Sequence, residues 1–122
     1  MNKKTIKTRK CQSFTKATIA ITEPQMFPDF NKINNNFFRK FNFIRWGTDA
    51  LGYMRCSEGI IDGVIERNIK IWDLAAIEPI INNAGGRIST WDGKKIGSND
   101  TVCASGDKKL HNLMVNSLQN YI

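Results

Sequence analysis

Asp73 is the side chain in this sequence best placed to do chemistry. It follows Trp72 and opens the apolar run Leu74-Ala75-Ala76-Ile77, which closes on Ala84-Gly85-Gly86. A carboxylate at a helix start satisfies free backbone N–H groups and is favoured by the helix dipole, for roughly 0.3–1 kcal/mol. It is also a hard oxygen ligand for a divalent cation, at a helix end whose N–H groups can face a phosphate. A cap is a sufficient reading of the pattern, and the two roles do not exclude each other.

The turn Gly47-Thr48-Asp49 is the second candidate. Thr48 or Asp49 is placed to cap a helix through Ala50, Leu51, Met54 and Cys56 to Gly59, and the N–H groups at such a start can hold an anion. Glu66 lies seven residues before Asp73, at the end of a strand pattern whose C-terminal edge should border a crevice. The alternative for Glu66 is a surface carboxylate at a strand end. Lys70 and Arg67 could steer an anion, although Arg67 reads more simply as solvated surface charge. His111, the one histidine, has no acid or nucleophile pattern beside it and is expected on the surface or flank of the last helix. Asp92-Gly93 reads as a hairpin turn. Cys11, Cys56 and Cys103 are odd in number and lack C-x-x-C spacing, so they read as reduced, buried thiols.

These groups need a scaffold, and the pattern predicts one. Residues 15–22 alternate and are rich in β-branched side chains, which predicts a strand. Pro28 and Asp29 open a helix carrying Phe30, Ile33, Phe37 and Phe41, weakened by the Asn-rich stretch 31–36. Strands follow at 41–46 and 60–67, the latter central and containing a glycine. The segment from Trp72 to Gly86 predicts a helix stopped by Gly85 and Gly86, with a kink between Ala75 and Pro79. Two short strands at 86–90 and 101–105 flank a turn-rich loop. Asp107 caps a last helix with Leu110, Met114, Leu118 and Tyr121 on one stripe. Alternating strands and helices predict an α/β fold, a layered mixed sheet with packed helices.

At 122 residues, 41% hydrophobic and 24% charged, the chain has the composition of one ordinary globular domain. No run approaches the roughly 20 apolar residues of a membrane span, and residues 11–20 are too polar for a signal peptide core. The expected location is cytoplasmic, with no membrane partner. The net charge is +7, but Lys3, Lys4, Lys7, Arg9 and Lys10 carry most of it. Residues 1–10 therefore read as a basic, flexible, solvated tail ahead of a domain at 11–122, and no nucleic-acid partner is expected.

The string Trp72-Asp73-Leu74-Ala75-Ala76 followed by Ala84-Gly85-Gly86 resembles the C-terminal signature of the inositol monophosphatase family, Mg²⁺-dependent sugar and alcohol phosphatases. The segments RWGTDALGYM and IIDGVIERNIKIWDLAAIEPIINNAGGRISTWDGKKI look most like its histidinol-phosphatase-like branch, and Arg9, Cys11 and ATIAITEPQMFP are similar to the start of that branch's C-terminal half. The resemblance spans about residues 8–118. It implies that Asp73 ligates a catalytic Mg²⁺. It implies that Gly47, Thr48 and Asp49 face the substrate, with Asp49 pairing a cationic group such as that of histidinol phosphate, and that Glu66 touches the substrate's polar groups. Thr48 stands where the histidinol-phosphatase branch has a second glycine and is similar to the simple inositol phosphatases instead.

The family's other metal ligands lie upstream, in Gly-Glu-Glu and Asp-Pro-Ile/Leu-Asp-Gly-Thr segments that this sequence lacks. Ile61-Asp62-Gly63 has neither the preceding Asp-Pro nor the following Thr. The expectation is therefore a C-terminal, substrate-side half of a Mg²⁺-dependent phosphomonoesterase, without its N-terminal metal-binding half and inactive alone. Its partners would be a phosphorylated small molecule and either a separate N-terminal half or further copies of itself. The alternative is a catalytically inert fragment or binding module of the same fold. Exposed apolar surface is expected where the two halves would meet.

Overall fold

The computed structural model describes residues 6–48, 50–67 and 74–122. Among the described residues, five strands form one mixed sheet: β1 (Thr18–Ile21), β2 (Phe43–Trp46), β3 (Gly63–Arg67), β4 (Arg87–Ser89) and β5 (Thr101–Ser105), in the spatial order β2-β1-β3-β5-β4. β1 runs parallel to β2 and β3, whereas β5 is antiparallel to both β3 and β4. The expected α/β architecture is the observed one, with β3 at its centre.

Strand alternation sends successive side chains to opposite faces. Ile19, Ile21, Ile65 and Cys103 point to one face, beneath Phe27, Phe37, Phe38 and Phe41 and the C-terminal helix residues Leu110, Met114 and Leu118. Ala20, Val64, Val102 and Ala104 point to the other, against Tyr53, Cys56, Leu74, Ile77 and Ile81. Helices α1 (Phe30–Asn36) and α4 (Lys108–Leu118) thus belong to one outer layer, and α2 (Ala50–Ser57) and α3 (Ile77–Asn83) to the other. Phe43 and Trp46 on the edge strand β2, and Leu51 on α2, remain exposed.

The helix ends follow from local chemistry. Asp29 accepts a hydrogen bond from Lys32 N at 3.3 Å to cap α1, and the weak helix formers that follow give way to a 3₁₀ turn over Phe38–Lys40. Asp107 accepts from Lys109 N at 2.8 Å and caps α4 as expected. The helical run is interrupted where the kink is expected: Leu74 is helical and Ala75 and Ala76 form a turn. The described helix starts at Ile77 after a turn at Ala75 and Ala76, so Pro79 is its third residue, where the N–H has no intrahelical partner to lose. The expected start at Trp72 and Asp73 lies outside the described residues. Gly85, at φ 103°, ends α3, and Gly86 N returns to Ile81 O at 2.9 Å. A side chain at Gly86 would sit 2.5 Å from Ser105 O, so glycine is needed for the close approach to β5.

Thr8 and Arg9 depart from the solvated-tail reading. Thr8 N donates to Ala84 O at 3.0 Å and its hydroxyl to Gly106 O at 2.8 Å, while Arg9 pairs with Asp62. Gly59 and Gly106 make room for this segment: a Cβ on either would meet Lys7 O at 2.8 Å or Thr8 Cβ at 2.9 Å. A charge run read along the chain carries no information about partners 53 residues away, and Asp62, buried among β1, β3 and the segment before it, requires a cation.

Candidate functional site

Because β1, β2 and β3 are parallel, their C-terminal ends share one sheet edge, the location where open α/β sheets bind ligands. The chain leaves β2 there through Gly47, whose N–H is shared between Ile21 O at 3.1 Å and Thr22 O at 2.8 Å, both at the end of β1. Gly47 has φ 77°, a left-handed conformation that costs a non-glycine residue roughly 1–2 kcal/mol. β3 brings Glu66 to the same edge, and Thr22 Oγ1 donates to Glu66 Oε2.

Glu66 is 3% exposed, so it is not the surface carboxylate of the alternative reading. It pairs in register with Val102 and faces the α2 side of the sheet. From α2, Tyr53 reaches the same place with 2% exposure, and burial together with the nearby Glu66 carboxylate holds its phenol well above the ordinary tyrosine range. Its hydroxyl is turned toward the neighbourhood of the Glu66 carboxylate. Thr48 Oγ1 is also buried, with no hydrogen-bond partner among the described residues. It packs against Gly52, where a Cβ would lie 2.9 Å from Thr48 Oγ1 and 3.0 Å from Ala20 Cβ. Gly52 thus lets the first turn of α2 rest on β1 and carries Thr48 to the edge.

The structure therefore brings Gly47, Thr48 and Glu66 together. Asp49, Lys70 and Asp73 lie outside the described residues, while Leu74 is buried in the layer of α2 and α3. Thr22, Tyr53 and Gly52 were not singled out from sequence. A threonine ending a strand, and a tyrosine and a glycine in a helix, look ordinary until the strand order places them around one carboxylate.

Two expectations at the periphery are corrected. Arg67 is not solvated: its guanidinium lies 5.4 Å from the centre of the Trp91 ring, donates to Tyr121 O at 2.9 Å and stands 3.8 Å from Asp100. Its charge is spent on tying β3 to the C-terminal segment. His111 is not a surface residue but 2% exposed, with Nε2 2.7 Å from Ser89 Oγ and Nδ1 2.9 Å from Ser105 Oγ. Burial, reinforced by Arg87, lowers its pKa to about 4, so the ring is neutral at neutral pH.

Among the described residues, no group of three or more His, Cys, Asp or Glu could hold a metal ion. Asp62 accepts from Arg9 Nε and Nη2 at 2.7 Å each and from Thr18 N at 2.8 Å, so both of its oxygens are already engaged. Glu66 is a single carboxylate already tied to Thr22. The described residues do not fit a near-octahedral Mg²⁺ site by themselves.

Residues 1–122 match the profile of the inositol monophosphatase family. A chloroplastic bifunctional phosphatase of Arabidopsis thaliana is 30% identical over 129 aligned residues, which cover 98% of this chain and 37% of the relative. A histidinol-phosphatase of Mycobacterium tuberculosis is 40% identical over 45 residues, 37% of this chain and 17% of that protein. An inositol monophosphatase structure from Zymomonas mobilis superposes with a TM-score of 0.83 at 30% identity, over 93% of this chain and 46% of that one. The chain spans less than half the length of these relatives.

Proposed function

The chain belongs to the inositol monophosphatase family, and on that premise we propose that it is the C-terminal, substrate-side half of a Mg²⁺-dependent phosphomonoesterase. Its substrate in this reading is a small phosphorylated alcohol of the inositol-phosphate or histidinol-phosphate type. The observation that supports it is the meeting of the Gly47-Thr48 turn and Glu66 at the C-terminal edge of three parallel strands.

In this reading Glu66 and the backbone after Gly47 orient the hydroxyl or ammonium groups of the substrate. Asp49 adds a carboxylate suited to a cationic group. Asp73 is the Mg²⁺ ligand, and one carboxylate does not complete an octahedral oxygen set. In this reading the remaining carboxylates come from beyond the described residues, from an N-terminal half that carries the upstream acidic motifs. The chain alone is proposed to be inactive and its compartment to be the cytoplasm; no described helix is long and apolar enough to cross a membrane.

The test is complementation. The purified chain is mixed with a separately made N-terminal half carrying the two upstream acidic motifs, and phosphate release from inositol 1-phosphate and histidinol phosphate is followed with Mg²⁺. Release from the mixture, above either part alone, is the expected result. No release from either substrate rejects the phosphatase reading in favour of an inert fold.

A further inference from the structure

A second polar cavity lies away from the candidate site, between the edge strand β4 and the last helix, α4. Ile88 faces the layer of α2 and α3, so by strand alternation Arg87 and Ser89 face α4. Arg87 stands level with Ser105 and, through it, with Gly63 at the start of β3, whereas Glu66 lies toward the end of β3 on the α2 face. The cavity is therefore on the opposite face of the sheet from Glu66 and toward its opposite end.

Its floor is closed by hydrogen bonds. Ser89 Oγ donates to Thr90 O at 2.8 Å, so it accepts from His111 Nε2 at 2.7 Å, and Nδ1 is left to accept from the Ser105 hydroxyl at 2.9 Å. That network holds β4, β5 and α4 together beneath a neutral ring. The rim is different. Arg87, Asn112 and Asn116 line a cavity of about 370 Å³, and the two asparagines, one turn apart, share one face of α4. Gly93, at φ 79°, brings the loop after β4 up to Val115 and closes one side; a Cβ there would lie 3.5 Å from Val115 Cγ1. Among the described residues Arg87 has no ion-pair partner, neither asparagine side chain is hydrogen-bonded, and no carboxylate lines the cavity. An arginine without an acid beside it disfavours a cation and is matched by an oxyanion, to which the amides add neutral donors.

We propose that this cavity is a second binding site, for phosphate, free or carried on a small molecule, held by the Arg87 guanidinium and the Asn112 and Asn116 side-chain amides. Three donor side chains on two elements suit a tetrahedral phosphate, with acceptor oxygens on every side, better than a flat carboxylate. The site goes beyond the phosphatase reading and does not depend on it.

His111 is the one histidine of the sequence, so its imidazole signals in a ¹H–¹⁵N spectrum are identified without further assignment. The chain alone is titrated near neutral pH with inorganic phosphate and, separately, with glycerol 3-phosphate, against potassium chloride at matched ionic strength. Saturable displacement of the His111 signals by phosphate, and none by chloride, is expected. A tighter response to inorganic phosphate assigns the free ion, a tighter response to the ester assigns a phosphorylated molecule, and equal responses assign the phosphate group itself. Arg87→Gln is expected to weaken binding about tenfold or more, and Arg87→Lys to recover part of the loss. Asn112→Asp, nearly isosteric, places a carboxylate at the rim and is expected to abolish binding. Arg87 and Asn112 are both exposed, so each variant should keep the native spectrum elsewhere. Displacement that chloride reproduces, none with either phosphate, or binding unchanged in both Arg87→Gln and Asn112→Asp overturns the proposal.

Discussion

Arg9 donates through Nε and Nη2 to the two carboxylate oxygens of Asp62, both at 2.7 Å, across 53 positions of sequence. The Asp62 side chain is 2% exposed and the Arg9 side chain 42%, so one partner is buried and the other rests at the rim. The same carboxylate takes Thr18 N at 2.8 Å, and Asp62 O takes Gly106 N at 2.9 Å. This one aspartate thereby joins residues 8–10, the start of β1 and the turn before α4, at the sheet end opposite the candidate site.

Arg9→Ala should leave a buried carboxylate short of its strongest donor. Complete loss of a partner from a fully buried pair costs about 3–5 kcal/mol, but Arg9 is partly solvated and Thr18 N still donates. The expected loss is about 1–3 kcal/mol, read from the urea midpoint. Arg9→Lys should recover only part of it, since an ammonium cannot bridge both oxygens. In a double-mutant cycle, Asp62→Asn with Arg9→Ala should lose less than the sum of the single changes.

His111 predicts a pH dependence. Its folded pKa is lowered from 6.5 to about 4, so between these values the unfolded chain binds a proton that the folded chain does not. The stability from the neutral ring is therefore complete above about pH 6.5 and is lost progressively as pH falls toward 4, by on the order of 2–4 kcal/mol. Urea midpoints measured across that window should fall in the wild-type chain. In His111→Asn the same curve should be flatter, although lower at neutral pH because the Ser89 and Ser105 contacts are lost. Equal slopes in the two chains would show that other groups control the acid response.

Asp73→Asn separates a cap from a ligand. Asparagine caps helices about as well as aspartate, so the melting temperature of the chain should stay within a few degrees. A neutral amide is a poor substitute for a carboxylate on Mg²⁺, so phosphate release by the complemented enzyme should drop by about 100-fold or more. Unchanged release would assign Asp73 to capping alone.

The three cysteines are buried and free, and desolvation raises all three pKa values: Cys56 to about 12, with Cys103 also shifted strongly upward. Reaction with a thiol reagent near pH 8 should be slow for Cys56 and Cys103 in the native chain, faster for Cys11 at its 9% exposure, and complete for all three in concentrated urea. Rapid native labelling at Cys103 would mean that the central sheet opens.

Much of the scaffold was legible because it is local. The alternation of Ile19, Ala20 and Ile21, the Asp29 and Asp107 caps, and the glycine stop after α3 are each written within a few residues, where period and cap chemistry act. The motif around Trp72 and Asp73 and the turn at Gly47 were also present in the string itself, and with them the family.

What the string alone could not decide were the partners that only folding brings within reach. His111 looked like a helix flank until β4 and β5 placed Ser89 and Ser105 on its two nitrogens. Arg9 looked like tail charge until the buried Asp62 required it, and Thr22 and Tyr53 carried no signal until parallel strands and α2 set them around Glu66. The physical reason is range: backbone propensities and caps are settled within about one helical turn, whereas desolvation of a charge or ring depends on every element packed over it. Sequence determined the elements and the lineage, and burial decided which polar groups must answer to one another.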